Sequence, residues 1–187
     1  MNNQSHETVK QIRREFFVYR NGLLADKLRE NGDPHRMIFG LNLSQITEMA
    51  NRFDIDENVA IELWSSKETR ECRLIAPMLF PIDKFTQDLA CGWIASVECT
   101  EVADNLCHKL LKNLPYADKL CLLYAQGTIL ERYTALALAV NLITIGKTLN
   151  YDAILTFAQE EQRRNDSITI LIANRLIDDV KEILSIH

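Results

Sequence analysis

Apolar residues recur at helical spacing along almost the whole chain, and this feature restricts the fold more than any other. Ile46, Met49, Ala50 and Phe53, for example, follow the i, i+3, i+4, i+7 pattern of a helix with one buried face. No stretch alternates with the two-residue period of a strand over five residues unless the helical period fits it better. The 187 residues include only six Gly and four Pro, so breaks between helices should be short. The pattern predicts an all-α protein.

Residues that cap helices indicate where the helices begin and end. One N-terminal helical region is predicted from about Ser5 to Leu28. Later helices are expected to begin at Asn42 or Ser44, Asp56, a Ser65–Glu68 capping box, Asp83, Glu98 or Thr100, Pro115, a Thr128–Glu131 capping box, about 151, and Asp166. Pro77 should kink its helix or end it early, and Gly127 should cap a helix C-terminus.

The order of the predicted helices favours a repeat architecture. After an N-terminal cap of about 5–31, the helices of about 42–184 form antiparallel pairs whose second members begin near 67, 100, 129 and 167. Two helices recurring at roughly 30 to 40 residues are typical of HEAT-type arrays. We therefore predict one domain, 1–187, folded as a right-handed α-solenoid of HEAT-like pairs whose second helices line a concave face. A plain helical bundle is the alternative, because the pairs share no visible sequence repeat.

Charge composition does not favour a nucleic-acid partner. The net charge is −5; residues 1–80 hold 11 basic and 12 acidic side chains, and residues 81–187 hold 10 and 14. Proteins that bind nucleic acid usually carry an excess of Lys and Arg, because neutralising phosphates releases counterions. Composition therefore argues mildly against DNA binding, although a local basic groove on an acidic protein would escape this test.

Cysteine usage and hydropathy predict a cytoplasmic protein. The five Cys form an odd set without a C-x-x-C pair, which is typical of buried, reduced thiols. No apolar run approaches the roughly 20 residues of a membrane span, and the polar N-terminus does not resemble a signal peptide. We expect no membrane partner.

Signals of conventional catalysis are absent from the sequence. The chain lacks a G-x-S-x-G elbow, an H-E-x-x-H motif, a Gly-rich phosphate loop, and Cys or His residues at zinc spacing. Its four histidines are scattered at His6, His35, His108 and His187. We therefore expect neither a metal nor a cofactor.

Basic residues at helical spacing are candidate phosphate ligands. Lys67, Arg70 and Arg73 form one such set, and positions 70 and 73 share a helix face, so two guanidinium groups could hold phosphates as forked donors. Ion pairing with Glu68 and Glu71 on a solvated helix is the alternative interpretation. A second basic cluster, Lys10, Arg13, Arg14 and Arg20, lies near the N-terminus.

Two charged residues within predicted helices also qualify. Arg132 lies one turn into a nearly apolar helix, where an unpaired cation is costly, so it must reach a partner or the mouth of a groove. Asp104 is expected in the first turn of its helix, where the helix dipole favours an anion.

Several of these residues carry a resemblance to a known family. The run Phe39–Ile46, continuing through Ile61–Trp64 to Arg70–Ala76, resembles the DNA alkylation repair family of HEAT-like-repeat proteins, the AlkD group. The similarity covers roughly residues 15 to 180. It implies an all-helical solenoid whose concave face binds duplex DNA and which, in active members, excises cationic alkylpurines without a metal.

The resemblance also implies roles for particular residues. An Asp beside the deoxyribose would stabilise oxocarbenium charge, and an Arg would hold phosphate. The family's Trp-x-x-x-Asp motif falls on Thr100 to Asp104, so the Asp is kept and the Trp is replaced. Its Trp-Leu-Arg-Arg stretch falls on 129–132 and keeps, of the two Arg, only the second, Arg132.

Two functional hypotheses follow from the sequence. The first is a DNA alkylation repair protein that binds duplex or damaged DNA through Arg132, Arg73, Arg70 and Lys67, with Asp104 as its catalytic candidate. If active, it would be a metal-independent alkylpurine DNA glycosylase, but the missing aromatic and basic family positions argue against excision. The second hypothesis is a non-catalytic HEAT-like adaptor that binds a protein partner.

Overall fold

The computed structural model describes residues 3–147 and 149–185. His187, one of the scattered histidines, lies outside this part of the chain. Within these two ranges the regular structure is helical, and Met37 and Thr69 form an isolated parallel bridge. The all-α prediction is confirmed. The chain divides into two compact units, Met1–Phe85 and Thr86–His187.

The unit Met1–Phe85 contains five α-helices among its described residues, followed by a short 3₁₀ turn. They are α1 Asn3–Val18, α2 Gly22–Glu30, α3 Leu43–Ala50, α4 Glu57–Ser65 and α5 Arg70–Leu79, with the 3₁₀ turn at Ile82–Lys84. Helix α5 packs against α3 and α4, and α4 also packs against α1. Phe16, Ile12, Leu41 and Leu63 are fully buried between these helices, and burying each such side chain contributes about 1.5–3 kcal/mol.

The unit Thr86–His187 arranges its helices around α9. Its elements are α6 Gln87–Ala95, α7 Thr100–Lys109, a 3₁₀ turn Leu111–Asn113, α8 Ala117–Leu123, α9 Ile129–Thr144, α10 Tyr151–Arg164 and α11 Ile170–Ser185. Helix α9 contacts α7, α8 and α11, while α10 packs against α11 and touches α8. Among all the described helices of the protein, none is both long and apolar enough to cross a membrane.

Three of the predicted helix starts are confirmed by their hydrogen bonds. Asn42 and Thr128 open α3 and α9, each in a reciprocal capping box with the residue three positions later. The Asp56 carboxylate accepts a 2.9 Å bond from the Val59 amide at the start of α4. Side chains that accept from these amides satisfy backbone donors that the helix leaves unpaired.

Other predicted boundaries are wrong. Ser65 is the last residue of α4, where its hydroxyl donates to the Glu62 carbonyl, so it cannot cap α5. Asp83 lies in the 3₁₀ turn, and Thr86 caps α6 instead. The predicted N-terminal region is helical, and it is divided into α1 and α2 because Asn21 caps α2. Pro115 lies two residues before α8 and Gly127 lies beyond its end, so neither caps that helix. The Asp166 carboxylate does accept a 3.0 Å bond from the Ile168 amide, in the turn that leads into α11.

The cysteines are all free thiols. Cys72, Cys107 and Cys121 are buried, whereas Cys91 and Cys99 are partly exposed, so the prediction of buried thiols is correct for three of the five. Burial raises the pKa of Cys72 to about 11 and also raises that of Cys107. At neutral pH the buried sulfurs are protonated and unreactive.

Candidate functional site

Asp104 lies exposed on α7, in the unit Thr86–His187. The helix begins at Thr100, so Asp104 is its fifth residue and lies in the second turn; Glu101 is the acid of the first turn. The predicted first-turn position is therefore wrong, because the helix begins at Thr100 and Cys99 is its N-cap. The helix dipole favours an anion mainly within the first turn, so it contributes little at Asp104.

The neighbouring helix provides the group that orients this carboxylate. The Tyr133 hydroxyl, on α9, lies 3.1 Å from each of the two Asp104 oxygens. Partial burial raises the pKa of Asp104, whereas the bond from Tyr133 lowers it. The charge of Glu101 raises it again, and the net change is a rise. Burial and the Asp104 charge both raise the pKa of Tyr133, so the phenol keeps its proton.

Further polar contacts continue from this pair along the two helices. His108, one turn after Asp104, places Nδ1 3.2 Å from the Asn141 amide oxygen, and Asn141 lies two turns after Tyr133. In the second contact both residues lie further along their helices than in the first, so α7 and α9 run in the same direction. Lys112 Nζ lies 3.1 Å from the same His108 nitrogen, which can donate to Asn141 or accept from Lys112 but not both. We call these five residues the α7/α9 polar row.

Lys147 adds a second ammonium group beside the end of this row. Its Nζ donates to the carbonyls of Lys112 and Leu114 at 2.9 and 3.0 Å. These bonds satisfy carbonyls of the turn that follows α7, and they fix the position of the Lys147 charge close to the backbone of Lys112. The polar row therefore has an acidic end at Asp104 and a basic end at Lys112.

Arg132, the predicted phosphate ligand on α9, is engaged inside its unit. Its side chain is only 16% exposed, with Nε 2.9 Å from the Glu161 carboxylate and Nη1 donating to the Gly127 carbonyl at 2.8 Å. Glu161 is fully buried, and Arg164 also contacts its Oε1. The sequence required a partner or a groove mouth for Arg132, and the structure provides a partner.

Arg70 and Arg73 are buried in the other unit, Met1–Phe85. The Arg70 side chain is 3% exposed and its Nη1 donates to the Leu41 carbonyl at 2.9 Å. The Arg73 guanidinium lies 3.5 Å from the centre of the Trp64 ring, donates to the Trp64 carbonyl at 2.6 Å and is fully buried. In this arrangement neither guanidinium is accessible to a phosphate, and both hold α5 against its neighbours.

Glu71 joins two of the segments that carry the family resemblance, Phe39–Leu41 and Arg70–Arg73. Its fully buried carboxylate accepts from the amides of Phe39, Gly40 and Leu41 at 3.1, 3.0 and 3.3 Å, and from Arg70 at 3.0 Å. Gly40 has φ +78°, and a Cβ there would lie 2.2 Å from the Asn21 carbonyl oxygen. The residues that carry the family resemblance here stabilise the scaffold.

Lys67 is the remaining predicted DNA ligand, and it is exposed. It lies in the turn between α4 and α5, not on the helix face that its spacing from Arg70 indicated. It lines a cavity together with residues of α1. Lys67 is therefore in a different unit from Asp104 and the polar row.

Sequence reasoning overlooked Tyr133 and Glu161, although both left a signal. Asp104, His108 and Lys112 recur every four residues, and Tyr133 and Asn141 lie eight residues apart on α9. Glu161 continues the apolar stripe of Ile154, Phe157 and Ala158. An acid within a buried stripe requires a cation, and Arg132 was a cation that required an acid.

The histidines of the described residues pair with other side chains. Among the described residues, no group of three or more His, Cys, Asp and Glu side chains is arranged to hold an ion. His35, which is buried, is instead paired with Asp33, with 2.7 Å between Nδ1 and the carboxylate. His6 is paired with Glu62 at 2.9 Å.

Comparison with known proteins assigns the chain to a family. The sequence model of the family described as "DNA alkylation repair enzyme" matches residues 12–171. No curated protein and no solved structure matches the chain significantly. The family match covers most of the sequence and includes both the Glu71 scaffold contacts and the polar row. The chain therefore belongs to the DNA alkylation repair family.

Proposed function

We propose that this protein binds duplex DNA containing cationic alkylated purines through the exposed face shared by α7 and α9. The observation that carries the proposal is the Asp104 carboxylate, which is exposed, oriented by Tyr133 and located where the sequence resemblance implies the family's Asp. A fixed carboxylate attracts the positive charge of an alkylated purine nucleotide and repels phosphates, so it favours a lesion over the regular backbone.

The basic end of the polar row supports the same proposal. Lys112 lies in the 3₁₀ turn that follows α7, eight residues after Asp104, and Lys147 bonds to its carbonyl. Ammonium groups at the basic end of the row are suitably placed to contact phosphates beside a lesion at Asp104. Arg132 acts behind this face, because its pairing with Glu161 connects α9 to α10.

The arrangement of helices is consistent with HEAT-like stacking in the unit Thr86–His187. Helices α7 and α9 run in the same direction, and α9 also contacts α11, as expected for second helices of successive pairs. We propose that α7, α9 and α11 form the DNA-facing layer of such a stack. The loops between the pairs would then lie at its edges.

Base excision is not part of the proposed function. Thr100 replaces the aromatic residue that precedes the Asp by four positions in the family motif, and Glu131 replaces a basic one. A flat side chain beside the sugar and an additional phosphate contact are both lost. We propose that this chain recognises the lesion and leaves excision slow or absent.

Duplex binding at low salt tests the proposal directly. A fluorescent duplex containing 7-methylguanine should bind more tightly than the unmodified duplex, and Lys112→Glu should weaken both by about tenfold. Lys119→Glu is the matched control, since Lys119 is exposed on α8. The proposal fails if neither duplex binds at low ionic strength, or if both Lys variants have the same effect.

A base-release assay on the same duplex tests the excision statement. We expect the wild-type protein to release little 7-methylguanine or 3-methyladenine. Rapid release that Asp104→Asn abolishes would show that the protein is a glycosylase despite the changes at 100 and 131. Because binding is measured separately, this result would revise the chemistry while leaving the binding proposal intact.

The acidic surface favours one alternative, a HEAT-like adaptor for a protein partner. Residues 81–187 hold 14 acidic and 10 basic side chains, so phosphate contacts must be made against a net negative charge. An adaptor would not bind either duplex at low salt. The same titration therefore distinguishes the two functions.

A further inference from the structure

A cavity of about 540 Å³ lies in the unit Met1–Phe85, and none of its lining residues belongs to the polar row. Its walls come from α1, from the segment that includes Met37 and Phe39, and from the turn of residues 65–69. This volume is within the range of about 300–1,000 Å³ that small-molecule sites occupy. The polar row and the Glu71 contacts do not account for it.

One wall of the cavity is apolar and aromatic. The rings of Phe17 and Phe39 pack edge to face, with centroids 4.8 Å apart and planes 68° apart. Phe39 is buried, whereas Phe17 remains 57% exposed and Met37 48% exposed. Exposing such side chains is unfavourable, and both a benzene ring and a thioether bind flat aromatic molecules well.

The other side of the cavity is cationic. Arg13 lies one helical turn before Phe17 on α1 and donates a 2.6 Å bond to the Ser66 hydroxyl, while Lys67 follows Ser66 in the turn. Neither Arg13 nor Lys67 forms an ion pair with any residue that the structure describes. The cavity lining therefore carries two positive charges outside any ion pair with the described residues, and one of them, Arg13, lies about one helical turn, roughly 5–6 Å, from the exposed Phe17 ring.

The same turn also contributes one acid, which does not cancel these charges. Glu68 lines the cavity, but its carboxylate lies 3.6 Å from the Arg36 guanidinium and is 70% exposed. With Arg13 and Lys67 against Glu68, the lining is net positive. The ligand should therefore carry negative charge.

We propose that this cavity binds a nucleotide unit, with its base against Phe17 and Met37 and its phosphate between Arg13 and Lys67. An inorganic anion would leave the aromatic wall exposed, and an uncharged aromatic molecule would leave both cations without a counter-ion. A base stacked inside a duplex cannot reach Phe17 with its flat face. The ligand is thus a free mononucleotide or an unstacked nucleotide of a single strand.

Calorimetric titrations with three probes test this proposal. Deoxyadenosine monophosphate should bind, while deoxyadenosine and inorganic phosphate should each bind at least about tenfold more weakly, because each makes only half of the contacts. A single-stranded oligodeoxyadenylate of about eight nucleotides identifies the source. Tighter binding of the oligomer indicates a strand as the ligand, and equal binding indicates the free nucleotide.

Variants connect the binding to this cavity. Phe17→Ala and Lys67→Glu should each weaken binding of the monophosphate by about tenfold. Lys27→Glu is the control, since Lys27 is exposed on α2 and does not line the cavity. Neither cavity variant should alter duplex binding through Lys112, so the two proposals fail independently.

Two results would overturn the proposal. One is the absence of binding by both the monophosphate and the oligomer at millimolar concentration. The other is binding that both Phe17→Ala and Lys67→Glu leave unchanged, since the ligand would then lie elsewhere. Circular dichroism of each variant confirms that the helices remain intact; Phe17 is largely exposed and Lys67 lies in a turn, so both should fold.

Discussion

The Tyr133 hydroxyl lies 3.1 Å from both oxygens of the Asp104 carboxylate, connecting α9 to α7 at the exposed face of their unit. A single phenolic proton shared between two oxygens fixes the orientation of the carboxylate. It also stabilises the ionised form, against the burial that raises the pKa of Asp104. The bond from Tyr133 thus opposes the rise in the Asp104 pKa that partial burial causes.

Replacing Tyr133 with Phe should raise the pKa of Asp104 further, because the bond that favours the carboxylate is lost. NMR titration of the Asp104 side-chain carboxyl measures this directly. Tyr124→Phe is the control, since the Tyr124 hydroxyl donates to the Cys91 carbonyl and does not contact Asp104. An unchanged Asp104 pKa in Tyr133→Phe would show that the bond is too weak to affect ionisation.

The raised pKa of Asp104 also predicts how the free energy of unfolding depends on pH. An acid whose pKa is higher in the folded than in the unfolded state binds its proton more tightly when folded, so its ionisation destabilises the fold as the pH rises. Asp104→Asn removes this ionisation. Between about pH 4 and pH 7, the wild type should lose stability relative to the variant. Urea denaturation at both pH values tests the sign; the opposite trend would contradict the raised pKa.

The sequence was sufficient to predict the all-α fold class and several helix starts, because apolar periodicity and capping residues act locally. Asn42, Asp56 and Thr128 are used as predicted. Ser65 failed as a cap because a hydroxyl can bond to its own helix instead. The single domain and the solenoid remain predictions.

The candidate site was predicted less well, since spacing shows which residues share a helix face but not what covers that face. Every residue of α5 from Arg70 to Pro77 is buried. Such a helix has no solvent face, so the shared face of Arg70 and Arg73 gave no information about access to phosphate. Contacts between helices, such as Tyr133 with Asp104, depend on tertiary packing that one sequence does not specify.

Two glycine substitutions should change stability in opposite directions. Gly40→Ala places a Cβ 2.2 Å from the Asn21 carbonyl oxygen at a φ of +78°, so we expect a loss of about 3 kcal/mol from overlap and backbone strain. Gly92 lies within α6, and a Cβ there meets nothing within 4 Å. Gly92→Ala should therefore stabilise by about 0.5–1 kcal/mol. Thermal unfolding of the two variants measures the contrast, and a neutral Gly40→Ala would contradict the tight approach.

The buried pairing of Arg132 with Glu161 predicts a stability effect that would otherwise be mistaken for a binding effect. Arg132→Ala leaves the Glu161 charge with only Arg164 and should cost about 3 kcal/mol. Arg163→Ala, at an exposed position of α10, should stay within about 0.5 kcal/mol. Chemical denaturation compares the two. If Arg132→Ala weakened DNA binding without loss of stability, Arg132 would be a phosphate ligand as the sequence predicted.

Neutralising Glu71 should destabilise the unit Met1–Phe85 through its backbone contacts. Glu71→Gln keeps the shape of the side chain, but its amide has one oxygen where the carboxylate has two to accept from Phe39, Gly40 and Leu41. It also removes the carboxylate charge 3.0 Å from the buried Arg70, which keeps a longer contact to Asp33 at 3.6 Å. We expect a loss of about 3 kcal/mol, as for other buried pairs that lose one partner.

Glu68→Gln is the matched control for this substitution, because it makes the same chemical change three residues earlier on a side chain that is 70% exposed. Its only ion pair with a described residue, to Arg36, is 3.6 Å long, so the change should stay within about 0.5 kcal/mol. Hydrogen exchange of the Phe39, Gly40 and Leu41 amides adds a local measurement. Exchange should accelerate in Glu71→Gln and stay at the wild-type rate in Glu68→Gln. Equal protection in both would mean that the carboxylate charge does not hold this segment against α5.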